Sequence, residues 1–172
     1  MLFAYTLTWV TIMRKDAGVT LMEAMVVIAI VAVLAAIAIP NWLSWRTKAK
    51  INGVSTNLRG DMEMAKNRAI KENALVVIAF NTGTNSYQIF VDNGAGTPAN
   101  ANNYTLDAGE QIIKSQQLAP GVSLAISSGF AGNSTGFSPR GTAGKTGILL
   151  ISSGGKQRQI ILSSLGRITL QY

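Results

Sequence analysis

An apolar run with one carboxylate near its start fills residues 19–39. Within GVTLMEAMVVIAIVAVLAAIAIP (18–40) the only charged side chain is Glu23. A helix over that run rises ~1.5 Å per residue, about 31 Å in all, which matches the ~30 Å hydrocarbon thickness of a bilayer. The run therefore reads as a membrane span. A carboxylate inside such a span is costly unless it is paired, so its presence points to a function. Were the chain cut before Val19, the new α-amine would lie one helical turn from Glu23 and be a natural partner for it. The competing reading is a polar residue tolerated near the membrane surface.

The stretch before Gly18 is short and charged: residues 14–18 read RKDAG. Arg14 and Lys15 favour the cytoplasmic side of the membrane. Residues 1–12, MLFAYTLTWVTI, are apolar but too few to span. Met13 is the favoured start, giving the leader MRKDAG; Met1 is the alternative. Either way residues 1–18 are expected to be removed as a leader and to carry no part of the fold. A conventional signal peptide would instead require loss of the whole apolar run. No small-x-small site followed by a polar mature start supports that.

Removal of the leader leaves 154 of the 172 residues and lowers the net charge from +7 to +6, because Arg14, Lys15 and Asp16 go with it. About 100 residues follow the helix, enough for one modest core. The basic balance favours anionic partners such as nucleic acid, lipid headgroups or acidic protein faces. The chain has no cysteine and no histidine. That removes thiol nucleophiles, imidazole bases, Ser-His-Asp triads and His- or Cys-ligated zinc. The carboxylates beyond the span are Asp61, Glu63, Glu72, Asp92, Asp107 and Glu110. They form no paired catalytic motif, and the chain does not read as an enzyme.

The helix is expected to continue past Pro40, with a kink there because proline lacks the amide donor and clashes with the preceding turn. Beyond it Ile51, Val54, Leu58, Met62, Ala65 and Ala69 recur at three- and four-residue steps, an amphipathic stripe. Arg46, Lys48, Lys50, Arg59, Lys66, Arg68 and Lys71 occupy other faces. The plain reading is a helix laid on a sheet with a solvated outer side. Arg46, Lys48 and Lys50 are also placed to meet lipid headgroups where the helix leaves the membrane. Gly53 and Gly60 weaken the helix by up to ~1 kcal/mol each. The helix should stop near Asn73.

After Asn73 the period changes. Residues 75–80 and 86–91 flank NTGTN and read as a β-hairpin. DNGAGTPANANN (92–103) reads as a loop. Further strands are expected at 110–116, 122–127, 147–152, 157–163 and 167–171, with a short one near 135–138. SGGK (153–156) suits a tight turn between two of them.

Gly18, an apolar Val19, then Thr20, Leu21 and Glu23, the apolar helix and Pro40 together resemble the N-terminus of type IV pilins and type II secretion pseudopilins. The family usually has Phe where this chain has Val19. The resemblance implies cleavage after Gly18 by a prepilin peptidase and N-methylation of Val19. It also implies that Glu23 pairs with the amine of a neighbouring subunit and so sets the axial register of a filament. Behind this come AKNRAIKEN, LVVIAF, YQIFVDNGAG, DAGEQII, TGFSPRG, GILLIS and RQIILSSLGRI, in that order. The order resembles the GspH/FimT family of minor pseudopilins and minor pilins over nearly the whole mature chain. It implies an α+β pilin-like fold, a long N-terminal helix packed on a small antiparallel sheet. It implies low-abundance subunits near filament tips that act by assembly, with no catalytic site and no cofactor.

Three fragments look like sites. Gly144-Lys145-Thr146 is similar to the end of a phosphate-binding loop, but Pro139 stands where that loop needs glycine. Asp92, Asn93 and the glycines after them offer oxygen ligands, without the alternating acids and distal Glu of a calcium loop. A turn-forming loop explains them better. Residues 140–172 carry Arg140, Lys145, Lys156, Arg158 and Arg167 with no acid. Such a charge can attract DNA phosphates. Some FimT-like minor pilins are implicated in DNA capture through basic C-terminal residues, so DNA is a candidate partner. The alternative is a solubilising surface whose cations also discourage strand-edge pairing. Aromatic side chains for base stacking are nearly absent there.

These expectations divide the chain into a leader (1–18), a transmembrane assembly segment (19–40), an amphipathic continuation of the helix (41–73) and a β-rich domain (74–172). The leading reading is a minor pseudopilin near the tip of a type II secretion pseudopilus. It would be anchored by one pass in the bacterial inner membrane, with its domain in the periplasm. Other pilins or pseudopilins and a prepilin peptidase would be its partners. The alternative is a type IV pilus minor pilin that binds DNA during transformation.

Overall fold

The structure, a computed structural model, describes residues 18–171. The expected leader up to Ala17, and the choice between Met1 and Met13, lie outside them. The chain divides into two compact units, Met1–Asn41 and Trp42–Tyr172.

In the first unit, helix α1 (Leu21–Glu72) begins its run. Thr20 caps it: its Oγ1 accepts the Glu23 amide at 3.2 Å, and its carbonyl accepts the Ala24 amide at 3.1 Å. A Thr at the cap with Glu three residues on is the sequence form of a capping box. The side chains that follow are open to their surroundings, Leu21 by 80%, Met22 by 76% and Ile37 by 73%. Their mean hydropathy reaches 2.8, so this helix is long and apolar enough to cross a membrane.

In the second unit α1 runs on to Glu72 and stops where the sequence indicates. Asn73 adopts φ 52° and the Ala74 amide bonds back to the Ala69 carbonyl at 3.3 Å, the left-handed cap that satisfies a late carbonyl. The buried stripe is Ile51, Ser55, Leu58, Met62, Ala65 and Ala69. Ser55 is an addition to the expected stripe, and Val54 is only half-buried. The Ser55 hydroxyl donates to the Ile51 carbonyl at 2.7 Å, which lets a polar residue lie fully buried.

Eight strands follow: β1 (Leu75–Asn81), β2 (Ser86–Asp92), β3 (Ile112–Gln117), β4 (Ser123–Gly129), β5 (Ser134–Phe137), β6 (Gly147–Ser153), β7 (Lys156–Leu162) and β8 (Ile168–Gln171). All the pairings are antiparallel. They build two four-stranded sheets, β3-β2-β1-β5 and β4-β6-β7-β8. β6 and β7 are joined by Gly154 and Gly155 alone, with φ 53° and 75°, the mirror-image turn that matches strand twist.

The main core lies between the α1 stripe and both sheets. Val76, Ile78, Phe80, Ile89 and Phe137 come from the first sheet, and Leu124, Leu149, Ile151, Ile160, Leu162 and Ile168 from the second. Each such side chain contributes about 1.5–3 kcal/mol on burial. The opposite face of the first sheet is also covered. Leu75, Val77 and Phe90 form a second cluster with Tyr104 and Leu106 from the segment joining β2 to β3. β1 is therefore buried on both faces, which explains its nearly continuous apolar sequence.

Candidate assembly segment and basic surfaces

Gly18, Val19 and Glu23 all lie exposed at the start of α1. Glu23 is in the first helical turn, where a negative charge meets the unpaired amides and the positive end of the helix dipole. The Thr20 cap was a signal visible in the sequence, in the T-x-x-E spacing, but sequence reasoning assigned Thr20 only to the motif. α1 is helical through Pro40.

The five C-terminal cations do not form one surface. Arg158 on β7 and Arg167 before β8 line a groove with Arg59, Glu63 and Lys66 of α1. Arg158 donates to the Asn52 side chain at 3.0 Å, and Lys66 donates to the Gly166 carbonyl at 3.0 Å. Arg140 is exposed in the turn after β5. That turn adjoins the one bearing Arg167, since the Ala143 amide bonds to the Ser164 carbonyl at 3.0 Å. Lys156 lies in a pocket with Lys48, Ile51 and Asn52, which Arg158 joins to the groove through its bond to Asn52.

Lys145 is held apart from these. Its ammonium donates to the Ala131 carbonyl at 2.7 Å and the Ser134 hydroxyl at 3.0 Å, and sits 4.2 Å from the centre of the Tyr104 ring. Gly144 lies against the hydroxyl end of the same ring: a β-carbon there would collide with the Tyr104 hydroxyl. Gly144-Lys145 thus forms a seat for Tyr104.

The segment between β2 and β3 is organised by two buried carboxylates. Asp92 accepts the amides of Asn102 at 2.6 Å and Tyr104 at 2.7 Å. Glu110 accepts those of Gly94 at 3.2 Å and Asp107 at 3.0 Å. Burial raises the Asp92 pKa above the usual carboxylate range, and Glu110 beside it adds to the rise, against the lowering effect of the two amides. With these oxygens spent on backbone amides, the segment is a pinned loop. No cluster of three or more acidic ligands occurs among the described residues.

A third group ties α1 to the first sheet. Asp61 accepts the Tyr87 hydroxyl at 2.5 Å and pairs with Lys114 at 2.8 Å. Burial, then the neighbouring Asp61, pushes the Tyr87 phenol far up. These contacts fasten structural elements together.

The model of the family described as type II transport protein GspH matches residues 55–166. The prokaryotic N-terminal methylation motif matches residues 13–39. The pilin-like protein PilA1 of Thermus thermophilus is 30% identical over 161 residues, covering 90% of this chain and 97% of that protein. Among solved structures, the minor pseudopilin EpsH from the Type 2 Secretion System of Vibrio cholerae superposes with a TM-score of 0.55 at 14% identity, over 71% of this chain and 96% of that one. The type IV minor pilin FimU of Pseudomonas aeruginosa gives 0.52 at 15% identity, over 74% and 92%. At such identities both speak to the fold alone. The helix-on-sheets architecture agrees with them, and the α+β pilin-like expectation holds. Membership implies assembly with other pilins, and the methylation motif implies processing by a prepilin peptidase. The chain belongs to the GspH family, pilin-like structural subunits and not enzymes.

Proposed function

We propose that this chain is a minor pseudopilin near the tip of a type II secretion pseudopilus. The family match over residues 55–166 carries the reading. In it, a prepilin peptidase cuts after Gly18, Val19 becomes the methylated N-terminus, and Glu23 pairs with the Val19 amine of a neighbour. Residues 19–40, ending at Pro40, anchor the subunit in the inner membrane, and the second unit lies in the periplasm.

The second reading is a minor pilin of a type IV pilus that contacts DNA. A specific feature favours it: Arg59, Lys66, Arg158 and Arg167 share one groove with a single acid, Glu63. Arg140 adjoins it, Lys156 reinforces a different end, and Lys145 enters only if it leaves Ala131 and Ser134.

Deleting the gene in its own host separates the two readings. Loss of secreted proteins with normal surface pili supports the secretion role. Loss of pili or of DNA uptake with normal secretion overturns it. DNA titration of the mature protein in detergent, over a salt series, tests the groove. Binding that weakens with salt and collapses in Lys156→Glu/Arg158→Glu/Arg167→Glu supports the second reading, and no binding at low salt removes it.

A further inference from the structure

Directly after the apolar span, α1 presents Trp42, Leu43 and Trp45 to the surroundings, exposed by 60%, 55% and 60%. The two indoles lie against one another, ring centres 5.5 Å apart and tilted by 34°. Paired tryptophans at the end of a span are amphipathic, and such rings favour the headgroup level of a bilayer. Arg46, Lys48 and Lys50 follow within two turns, and the sequence holds no acid between Glu23 and Asp61.

The fold brings further elements to this stretch of helix. The β6–β7 turn lies beside Thr47, since a β-carbon on Gly154 would sit 3.0 Å from the Thr47 methyl. That places Lys156 in a pocket with Lys48. The turn between β3 and β4 is there too: the Lys50 ammonium donates to the Pro120 carbonyl, and Ser153 donates to the Gly121 carbonyl at 2.6 Å. Neither turn carries an acid. One end of the second unit thus combines two exposed indoles with Arg46, Lys48, Lys50 and Lys156.

We infer that this end is a docking face for anionic lipid headgroups, by which the folded domain rests on the membrane that anchors it. The inference rests on residues 19–40 being a membrane span. Charge and chemistry select the occupant. Clustered cations next to a span are drawn to anionic lipid, and the attraction fades within a Debye length of the surface. An apolar protein partner would leave the cations unmatched, while an acidic one would leave the indoles without a hydrocarbon boundary. Lys156 supplies the test. It stands far from the span in sequence and reaches the membrane only if the folded domain itself lies against it.

The chain has no cysteine, so one introduced thiol gives a single labelling site. The full protein carrying Gln157→Cys, labelled with bimane, would be reconstituted into vesicles containing headgroup-nitroxide lipid. One set would be phosphatidylcholine, the other an equimolar mixture with phosphatidylglycerol. Leu165→Cys serves as the far control. Leu165 is 79% exposed and adjoins Gly166, whose carbonyl is bonded to Lys66, about 28 Å along α1 from Thr47. Quenching at position 157 should be strong in the mixed vesicles, weaker in phosphatidylcholine or high salt, and weak at 165 throughout. Lys48→Gln and Lys156→Gln should each reduce the docked-to-undocked ratio about fivefold. Quenching equal at the two positions, or independent of lipid charge, overturns the docking face. Protein that floats with neither vesicle overturns the anchor reading, and the docking face with it.

Discussion

The backbones of Gly141 and Gly166 run against each other: a β-carbon on Gly166 would collide with the Gly141 carbonyl oxygen. The contact joins the turn after β5 to the turn before β8. It gives the separated fragments FSPRG and LGR a common physical reason. Gly166 also needs its positive φ of 71°.

Gly166→Ala should therefore destabilise the protein more than Gly155→Ala. Gly155 has a similar φ of 75° but no atom within 4 Å of the added methyl, so it isolates the backbone cost of about 1 kcal/mol. The clash at Gly166 should raise the loss to about 2–4 kcal/mol. Urea unfolding of both variants in detergent checks this. Equal losses would mean the two turns are free to separate.

Asp92 should make stability depend on acidity. Its folded pKa is raised by burial and by Glu110, so the folded state holds this proton more tightly than the unfolded chain. The contribution is therefore greatest below the unfolded carboxylate range and declines as pH rises through the raised value. Asp92→Asn should remove that component. At neutral pH it should also cost about 1–3 kcal/mol, because the carboxamide offers one acceptor where two amides need one each. Unfolding measured from pH 4 to 7 for both proteins tests the sign. Parallel curves would show that Asp92 does not titrate differently on folding.

At the α1–sheet junction, Asp61→Ala should cost more than Lys114→Ala. Removing Asp61 strands the buried Tyr87 hydroxyl, a loss of about 1–3 kcal/mol. Removing the half-exposed Lys114 breaks an ion pair worth at most about 1 kcal/mol. Tyr87→Phe/Asp61→Ala should recover part of the loss, since the buried hydroxyl is then gone and the half-exposed Lys114 ammonium turns to water. Thermal unfolding of the variants reads this directly.

The N-terminal assignments divide into cutting and assembly. Gly18→Ala should leave the precursor uncut on an immunoblot, and normal processing would remove the peptidase assignment. Glu23→Ala should be cut normally yet enter filaments at a small fraction of wild type. If it assembles fully, Glu23 acts as a helix-start charge beside Thr20 and has no role between subunits.

Much of this architecture is local, and local features can be read from one sequence. The α1 stripe, the stop at Asn73, the Gly154-Gly155 turn and all eight strands follow from periodicity and turn residues. The split into two sheets does not. β5 pairs with β1 and β4 pairs with β6, choices made by distant partners. Ser55 looked polar because its bond to the Ile51 carbonyl is internal to the helix. Lys145 looked like a free cation because nothing nearby in sequence announces Tyr104. The basic C-terminal residues could be counted but not mapped. Their spread from the groove near Arg167, through Arg158, to the turn at Lys156 is set by the strand order.

The loop between β2 and β3 separates what must stay constant from what is free to diverge. Asp92 and Glu110 grip it from within the domain, Tyr104 and Leu106 seal it onto the sheet, and Gly94 and Gly96 have no room for side chains. Thr97, Pro98 and Ala99 form an exposed crest on it. That crest is a cassette: new surface chemistry can be written into three positions while every residue that holds the fold remains in place.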